Sequence, residues 1–500
     1  MTDTTSDDDY KKVVGGSDKS KESGETSKKP EDEIKIRSNR VSPEKDTKPK
    51  KRYVPYHDEL ETTYDPYQVA VAILNERIVY YDEKEDDVYY YKDGIYTEAT
   101  PLIRGFAVRL MEKDYHPSVL NSIRDILKEL SQDVIDNPIF EKNGIPKVVK
   151  FIEPPPHWVL FKDCIYDMLN KEFIEQKPDY VFRDGQRINF NLKGIVTDEF
   201  QKIVKKEKGG ILNKEQYNLF FEMVGYSFYR AYTTPGFLVI AGDGGNGKST
   251  LFEILISLFG DSMEMQPFTA LLNPERRVNL HNKFCNAVSE TPPDKLMVTD
   301  DFKALTSGDK IMTRRLYHTE ILNERFFTKY FFFGNSVPEV SDSSYGFSRR
   351  IYFIELLDKV SGIEKDEIIS MLKKEEVKRW LFFEAVKGYN RFVENSFTRI
   401  DGEENGSKRY RMVSNPEHYF LSHAIEAGEE DGYEIEKGIL YTRYETFCKL
   451  KNIKPKSKIR FYSIVRIFFG DDVTEIQNQT GKHKRLFSGI RLKDNWETTV

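Results

Sequence analysis

Residues 237–250 read FLVIAGDGGNGKST, and the order of residue types in this stretch decides the fold. Five apolar residues, Phe237 to Ala241, read as a buried strand. They empty into a glycine-rich turn, Gly242, Asp243, Gly244, Gly245, Asn246 and Gly247, followed by Lys248, Ser249 and Thr250. The spacing fits G-x-x-x-x-G-K-[ST], the phosphate-binding loop. Glycines let backbone N–H groups turn inward onto phosphate oxygens. Lys248 can reach the β- and γ-phosphates of a nucleotide, and the Ser249 hydroxyl can ligate Mg²⁺. Leu251 to Phe259 reads as a helix whose positive N-terminus faces the anion. A chance glycine turn would lack this strand–loop–helix order.

The length of 500 residues suggests roughly three or four domains. Hydrophobic content of 39% supports real cores, and a net charge of −6 excludes a globally basic protein. Any nucleic-acid contact must therefore be a local patch. Cys164, Cys285 and Cys448 lie far apart without metal-type spacing and read as reduced thiols of a cytoplasmic protein. No apolar run has the length of a membrane span, and the N-terminus is polar.

Outward from the loop, the chain divides by composition. Residues 1–52 are charged, almost free of apolar side chains, and end in the basic cluster Lys48 to Arg52. Such a segment cannot offset its ordering entropy, which predicts a disordered tail, as a solvated linker or a basic arm. Residues 53–150 read as an N-terminal α/β domain: a helix over 67–74, a strand–turn–strand over 88–96, and amphipathic helices over 101–113 and 116–135. Pro154 to Pro156 mark a subdomain boundary. Residues 157–166 (HWVLFKDCIY) read as a strand and 215–229 as a helix before the loop. Downstream, strands over 283–290, 329–335 and 351–356 alternate with helical segments, and 311–327 reads as two strands around a turn. This order predicts a mostly parallel sheet with ligands at the carboxyl ends of its strands. A helical segment over 359–398 and a hinge at 402–406 follow. Three helical stretches (409–425, 438–451, 457–469) and two strands (473–479, 484–492) then suggest a winged helix.

Single residues carry the candidate chemistry. Glu290 ends its strand beside the loop, where a carboxylate holds Mg²⁺ or orients water, or is a surface acid. Asn335 ends KYFFFGN, either touching the γ-phosphate or capping its strand. Arg349 and Arg350 supply an arginine finger or sit in a solvated turn. Lys303, Lys310, Arg314, Arg315 and His318 put positive charge between two strands, suited to a single-stranded phosphate backbone or simply exposed. Residues 449–485 carry ten Lys/Arg against three acids, a net of +7 in an acidic chain. Lys458 and Arg460 open the expected recognition helix, and Lys482, Lys484 and Arg485 lie on the wing, all suited to phosphate. Phe461, Tyr462, Phe468 and Phe469 read as core by helical spacing.

The series GDGGNGKST, AVSE, FKALTSGDKIMTRRLYH, YFFFGN and SRRIYFIEL resembles superfamily 3 helicases, in the phage, plasmid and poxvirus primase-helicase branch. The resemblance implies a multidomain α/β protein with a P-loop AAA+ core over 233–358. It also implies a helical collar over 151–232, a helical lid over 359–402 and a winged helix over 403–500. It makes Lys248 and Ser249 the phosphate and Mg²⁺ ligands, Glu290 the Walker B-type acid and Asn335 the sensor. Arg349 or Arg350 becomes the finger entering a neighbouring subunit, with Arg350 favoured. Arg314, Tyr317 and His318 become contacts of a DNA-tracking hairpin. Many relatives carry two adjacent acids at Walker B, whereas Ser289 precedes Glu290 here. The implied activity is ATP- and Mg²⁺-dependent unwinding by a homo-oligomeric ring, a hexamer, moving 3′→5′ on single-stranded and forked DNA. Residues 1–150 show no zinc cluster or acidic trio, which leaves priming to another chain. The rival readings are an ATP-switched, origin-binding initiator with little unwinding and a non-enzymatic loading adaptor.

Overall fold

The computed structural model describes residues 64–83, 85–133, 151–289, 300–314, 321–335, 349–360, 364–400, 407–428, 433–477, 485–494 and 496. The chain divides into two units, residues 1–90 with 98–148, and residues 91–97 with 149–500. The expected tail over 1–52 lies outside the described residues.

In the first unit, helix α1 (Pro66–Glu76) starts on a reciprocal cap. The Gln68 N–H donates to the Asp65 carboxylate at 2.8 Å, and the Asp65 N–H donates to the Gln68 side chain at 3.1 Å. This satisfies N–H groups that the first helical turn leaves open. Strand β1 (Val79–Asp82) pairs antiparallel with β2 (Asp87–Lys92), Val79 opposite Tyr90. After strand β3 (Ile95–Glu98), most of which belongs to the second unit, helices α2 (Thr100–Met111) and α3 (Val119–Asp133) continue the first, close to the spans read from periodicity. Val69, Ile73, Val88, Ile103, Phe106, Ile123 and Leu127 form the core.

Past residue 149 the second unit opens with a β-hairpin. The single strand expected over 157–166 is two antiparallel strands, β4 (Trp158–Phe161) and β5 (Ile165–Asp167), closed by the Phe161 N–H on the Cys164 carbonyl at 2.8 Å. With β6 (Glu172–Ile174) and β7 (Arg187–Ile188) they form a sheet in the order β6-β5-β4-β7. The first half of residues 151–232 is thus sheet, and helices α4 (Gln201–Val204) and α5 (Lys214–Phe228) lie in the second half. The reason is local turn chemistry. Asp167 accepts bonds from the Leu169 and Asn170 N–H groups, the Asn170 amide and the Trp158 indole at 2.9–3.0 Å. That fan of bonds turns the chain back and competes with helix.

Burial raises the Asp167 pKa, but these donors and the nearby His157 leave it below 3.8. The stabilisation is therefore complete above the unfolded value and lost as pH falls through the lower folded one. Asp167→Ala is expected to cost about 2 kcal/mol near neutral pH. In denaturant titrations, the gap to wild type should narrow only below pH 3.8.

The central sheet follows. Strand β8 (Phe237–Gly242) leads through the glycine turn into α6 (Lys248–Phe259). Strand β9 (Met263–Glu264), the one-turn helices α7 (Phe268–Leu271) and α8 (Pro274–Arg277), strand β10 (Cys285–Val288) and helix α9 (Asp300–Leu305) come next. Strands β11 (Ile311–Arg314) and β12 (Ile321–Glu324) pair antiparallel, Ile311 opposite Glu324, as expected for 311–327. Strands β13 (Lys329–Gly334) and β14 (Ile351–Leu356) complete a five-stranded sheet in the order β14-β8-β13-β10-β9. All its pairings are parallel, so every strand points its carboxyl end to one edge. Such a sheet is buried on both faces, which accounts for near-continuous apolar runs such as FLVIA.

Two helices, α10 (Lys365–Lys373) and α11 (Glu375–Asn395), follow. Helix α11 lies backbone to backbone on α5. A Cβ on Gly225 would meet the Ala385 carbonyl at 2.0 Å, and one on Gly388 the Phe221 carbonyl at 2.2 Å. The stretch expected as one helix over 409–425 is two, α12 (Ser407–Ser414) and α13 (Pro416–Ala424). Pro416 has no N–H to continue the first helix and instead opens the second. Strands β15 (Ile425–Ala427) and β16 (Glu434–Glu436), helices α14 (Lys437–Leu450) and α15 (Lys458–Phe469), and strands β17 (Thr474–Gln477), β18 (Arg485–Ser488) and β19 (Ile490–Leu492) form the C-terminal module. Phe420, Tyr444, Phe447, Phe461 and Phe487 centre its core, while Phe468 remains 36% exposed. Cys164, Cys285 and Cys448 are free and buried. Among the described residues, no helix is long and apolar enough to cross a membrane.

Candidate functional site

The glycine turn sits at the carboxyl edge of the parallel sheet. Gly245 and Gly247 have φ of 83° and 92°, which L side chains rarely adopt. At Gly247 space also decides, because a Cβ there would meet the Ile211 side chain at 2.5 Å. The three residues after Gly247 begin α6, so the helix N-terminus opens onto the turn. Ser249 is exposed there and Thr250 half-buried. Asp243, Gly244 and Gly245 form the exposed rim.

Lys248 arches back over this turn. Its Nζ donates to the Gly242 carbonyl at 2.6 Å, the Asp243 carbonyl at 2.7 Å and Asn246 Oδ1 at 3.0 Å. Burial lowers its pKa, and the charge of Asp243 partly restores it. Asn246 is 3% exposed, and its amide donates to the Leu356 carbonyl at 2.7 Å, where β14 ends. Just beyond, the Val360 N–H donates to the Gly245 carbonyl at 3.0 Å. The turn is thus tied to the exit of β14 at two points and still has an exposed mouth. A cavity of about 490 Å³ nearby is lined by Asn213, Gln216, Glu355, Leu357 and Arg409, among others.

Gly334 lies opposite Ala241 in the β13–β8 register, so Asn335, exposed and next in line, stands at the same sheet edge as the turn. Glu290 lies outside the described residues, as do Arg315, Tyr317, His318, Lys482 and Lys484. Among the described residues, no group of three His, Cys, Asp or Glu side chains could hold a metal ion. Arg349 and Arg350 sit at the opposite edge of the sheet, before β14, where the Arg350 carbonyl accepts from the Phe237 N–H at 2.9 Å. Arg349 is exposed, whereas Arg350 is 8% exposed and donates to Ser307 Oγ through Nε at 3.1 Å and Nη2 at 2.9 Å.

Among the basic residues before and within the β11–β12 ladder, Lys310 and Arg314 are exposed, and Lys303 lies 3.7 Å from Asp300. Farther on, Lys458 lies over the Tyr441 ring, Arg460 lies 3.6 Å from Glu417, and Arg485 is exposed. Arg460 therefore has a carboxylate of its own chain beside it.

Arg277 and Lys329 are among the buried cations that the sequence does not mark. Arg277, 1% exposed, donates to the Leu271, Leu272 and Met312 carbonyls and pairs with Asp301. It pins the first strand of the hairpin to α7 and α9. Lys329 is wholly buried within β13. In sequence, Arg277 belongs to a polar stretch, NPERRVNLHN, and Lys329 flanks an apolar run, so neither pattern marks a buried charge.

Residues 240–350 match a family model described as a family of unknown function, DUF5906. A protein of Acanthamoeba polyphaga mimivirus, "Putative helicase L207/L206", is 23% identical over 270 residues, 51% of this chain. The chain spans only 27% of that relative's length. An apo structure of the NrS-1 C-terminal region (305–718) aligns with 85% of this chain and 99% of its own at 15% identity, with a TM-score of 0.37. A second apo form aligns over 85% and 100% at 14% identity, with the same score. The chain is a mixed α/β protein by its own helices and strands, and it has a distant helicase-like viral relative.

Proposed function

We propose that the protein is an ATP-hydrolysing DNA helicase of the superfamily 3 type, working as a hexameric ring. One observation carries the assembly: the glycine turn and the arginine pair occupy opposite edges of one parallel sheet. The six residues of β14 between them span about 20 Å at 3.3 Å each. An arginine side chain cannot bridge that gap, so one acting on phosphate at Lys248 would come from a second copy.

On this reading Lys248 exchanges its three loop acceptors for phosphate oxygens. Ser249, exposed at the start of α6, fits Mg²⁺ as an oxygen donor, with Glu290 as its acidic partner. Bound Mg²⁺ would neutralise charge on the phosphates. Asn335 faces the attacking water or γ-phosphate. The exposed Arg349 is a better candidate for the seam than Arg350, whose guanidinium is committed within its own chain. Lys303, Lys310 and Arg314 would line the pore, with the strand moving 3′→5′ and priming supplied by another chain. The C-terminal module would act as a winged helix, with Lys458, Lys482, Lys484 and Arg485 on phosphate.

The test is ATP turnover against protein concentration, with and without single-stranded DNA, together with opening of a forked duplex. Turnover per chain should rise with concentration and with DNA, and the fork should open. A diluted monomer hydrolysing at full rate would remove the shared site. The initiator reading is favoured by one feature: α15 exposes Ile459 (85%) and Ile467 (73%), apolar side chains suited to thymine methyl groups. Tight binding to one duplex site with no fork opening would select it.

A further inference from the structure

We propose that Arg350 couples the seam to the DNA hairpin through Ser307, and so acts as a positioning residue beside an exposed Arg349 that reaches the neighbouring nucleotide. The inference rests on the helicase reading and adds a route by which nucleotide state moves the hairpin.

The geometry begins at Ser307. It lies in the turn between α9 and β11, built by bonds from the Ser307 and Asp309 N–H groups to the Ala304 carbonyl at 3.2 and 3.0 Å. Gly308 takes φ of 69° there, and a Cβ on it would meet the Tyr232 ring at 2.5 Å. The turn therefore has little room to change shape. Three residues later the chain enters β11, where Ile311 and Thr313 are buried and Met312 and Arg314 point out. Any displacement of Ser307 is transmitted to the root of the hairpin over a few stiff residues.

Arg350 grips this turn from the other side. Both Nε and Nη2 converge on Ser307 Oγ, in a side chain 8% exposed. Its neighbour Arg349 is exposed, so the two arginines face different tasks one residue apart. The Thr306 carbonyl accepts from the Gly236 N–H at 2.9 Å, and the Arg350 carbonyl from the adjacent Phe237 N–H at 2.9 Å. The hairpin turn and the arginine turn are thus anchored side by side on the start of β8, the strand that ends in the glycine turn. On the far side, Arg277 Nη1 holds the Met312 carbonyl at 2.9 Å. A shift of β8 and the arginine turn together on nucleotide release would tilt the hairpin about that fixed point.

The full chain tests this with Ser307→Ala, Ser307→Thr and Arg349→Ala, each checked for unchanged thermal unfolding. Ser307→Ala should keep basal ATP turnover and lose stimulation by single-stranded DNA about fivefold or more, the usual size of a coupling between two sites. Ser307→Thr keeps the hydroxyl and should restore stimulation. Arg349→Ala should lose basal turnover itself. A Ser307→Ala protein stimulated as strongly as wild type overturns the proposal, as does one that loses basal turnover equally. A wild-type protein whose turnover ignores DNA overturns the helicase reading, and this proposal falls with it.

Discussion

Lys248→Ala is expected to lower ATP turnover about 10²- to 10³-fold, the usual loss when one donor to a developing phosphate charge is removed. The side chain is positioned for little else. Its three bonds end on Gly242, Asp243 and Asn246, all within its own turn. Removing it leaves the sheet and α6 in place, so the melting temperature should hardly move. Fork opening and DNA stimulation should disappear together with hydrolysis. A rate unchanged from wild type would take nucleotide chemistry away from this turn altogether.

The second large effect is on stability. Lys329→Met is expected to cost about 3 kcal/mol or more, read from denaturant midpoints, at about 1–3 kcal/mol for each buried acceptor left unsatisfied. Lys329 is 0% exposed, and its Nζ donates to the Tyr229, Ala231 and Phe327 carbonyls, each at 2.7 Å. The Tyr226 and Tyr232 rings cover it at 4.4 and 4.5 Å. Methionine matches the stem but not the donors, so three acceptors in the packed interior lose their partner. The segment tied down in this way, residues 229–232, leads directly into β8. A cost below about 1 kcal/mol would mean that water replaces the ammonium group without penalty.

Much of the architecture is legible in the residues because its causes are local. The alternation of apolar runs with glycine and polar breaks placed β8, β13 and β14 within a residue or two. The helices of the first unit followed their apolar spacing in the same way. Where the reading failed, the deciding contact was a turn or a proline. Residues 157–166 looked continuous because WVLF and CIY are both apolar, yet the Phe161–Cys164 bond folds them into a hairpin. The helical stretch over 409–425 kept its period across Asn415 and Pro416, where the backbone breaks.

By itself, then, the sequence determined the strand, the glycine turn and the helix around Lys248, since positive φ at Gly247 and the periods of strand and helix are properties of neighbouring residues. Only the tertiary structure decided what each charge does: Arg349 exposed and Arg350 turned onto Ser307, Arg277 clamping the hairpin, Lys329 caged by carbonyls. Those partners lie 24 to 100 residues away along the chain in the pairs Arg277–Asp301, Arg350–Ser307 and Lys329–Tyr229. Burial of a charge depends on such distant partners arriving in space, and no local pattern encodes their arrival.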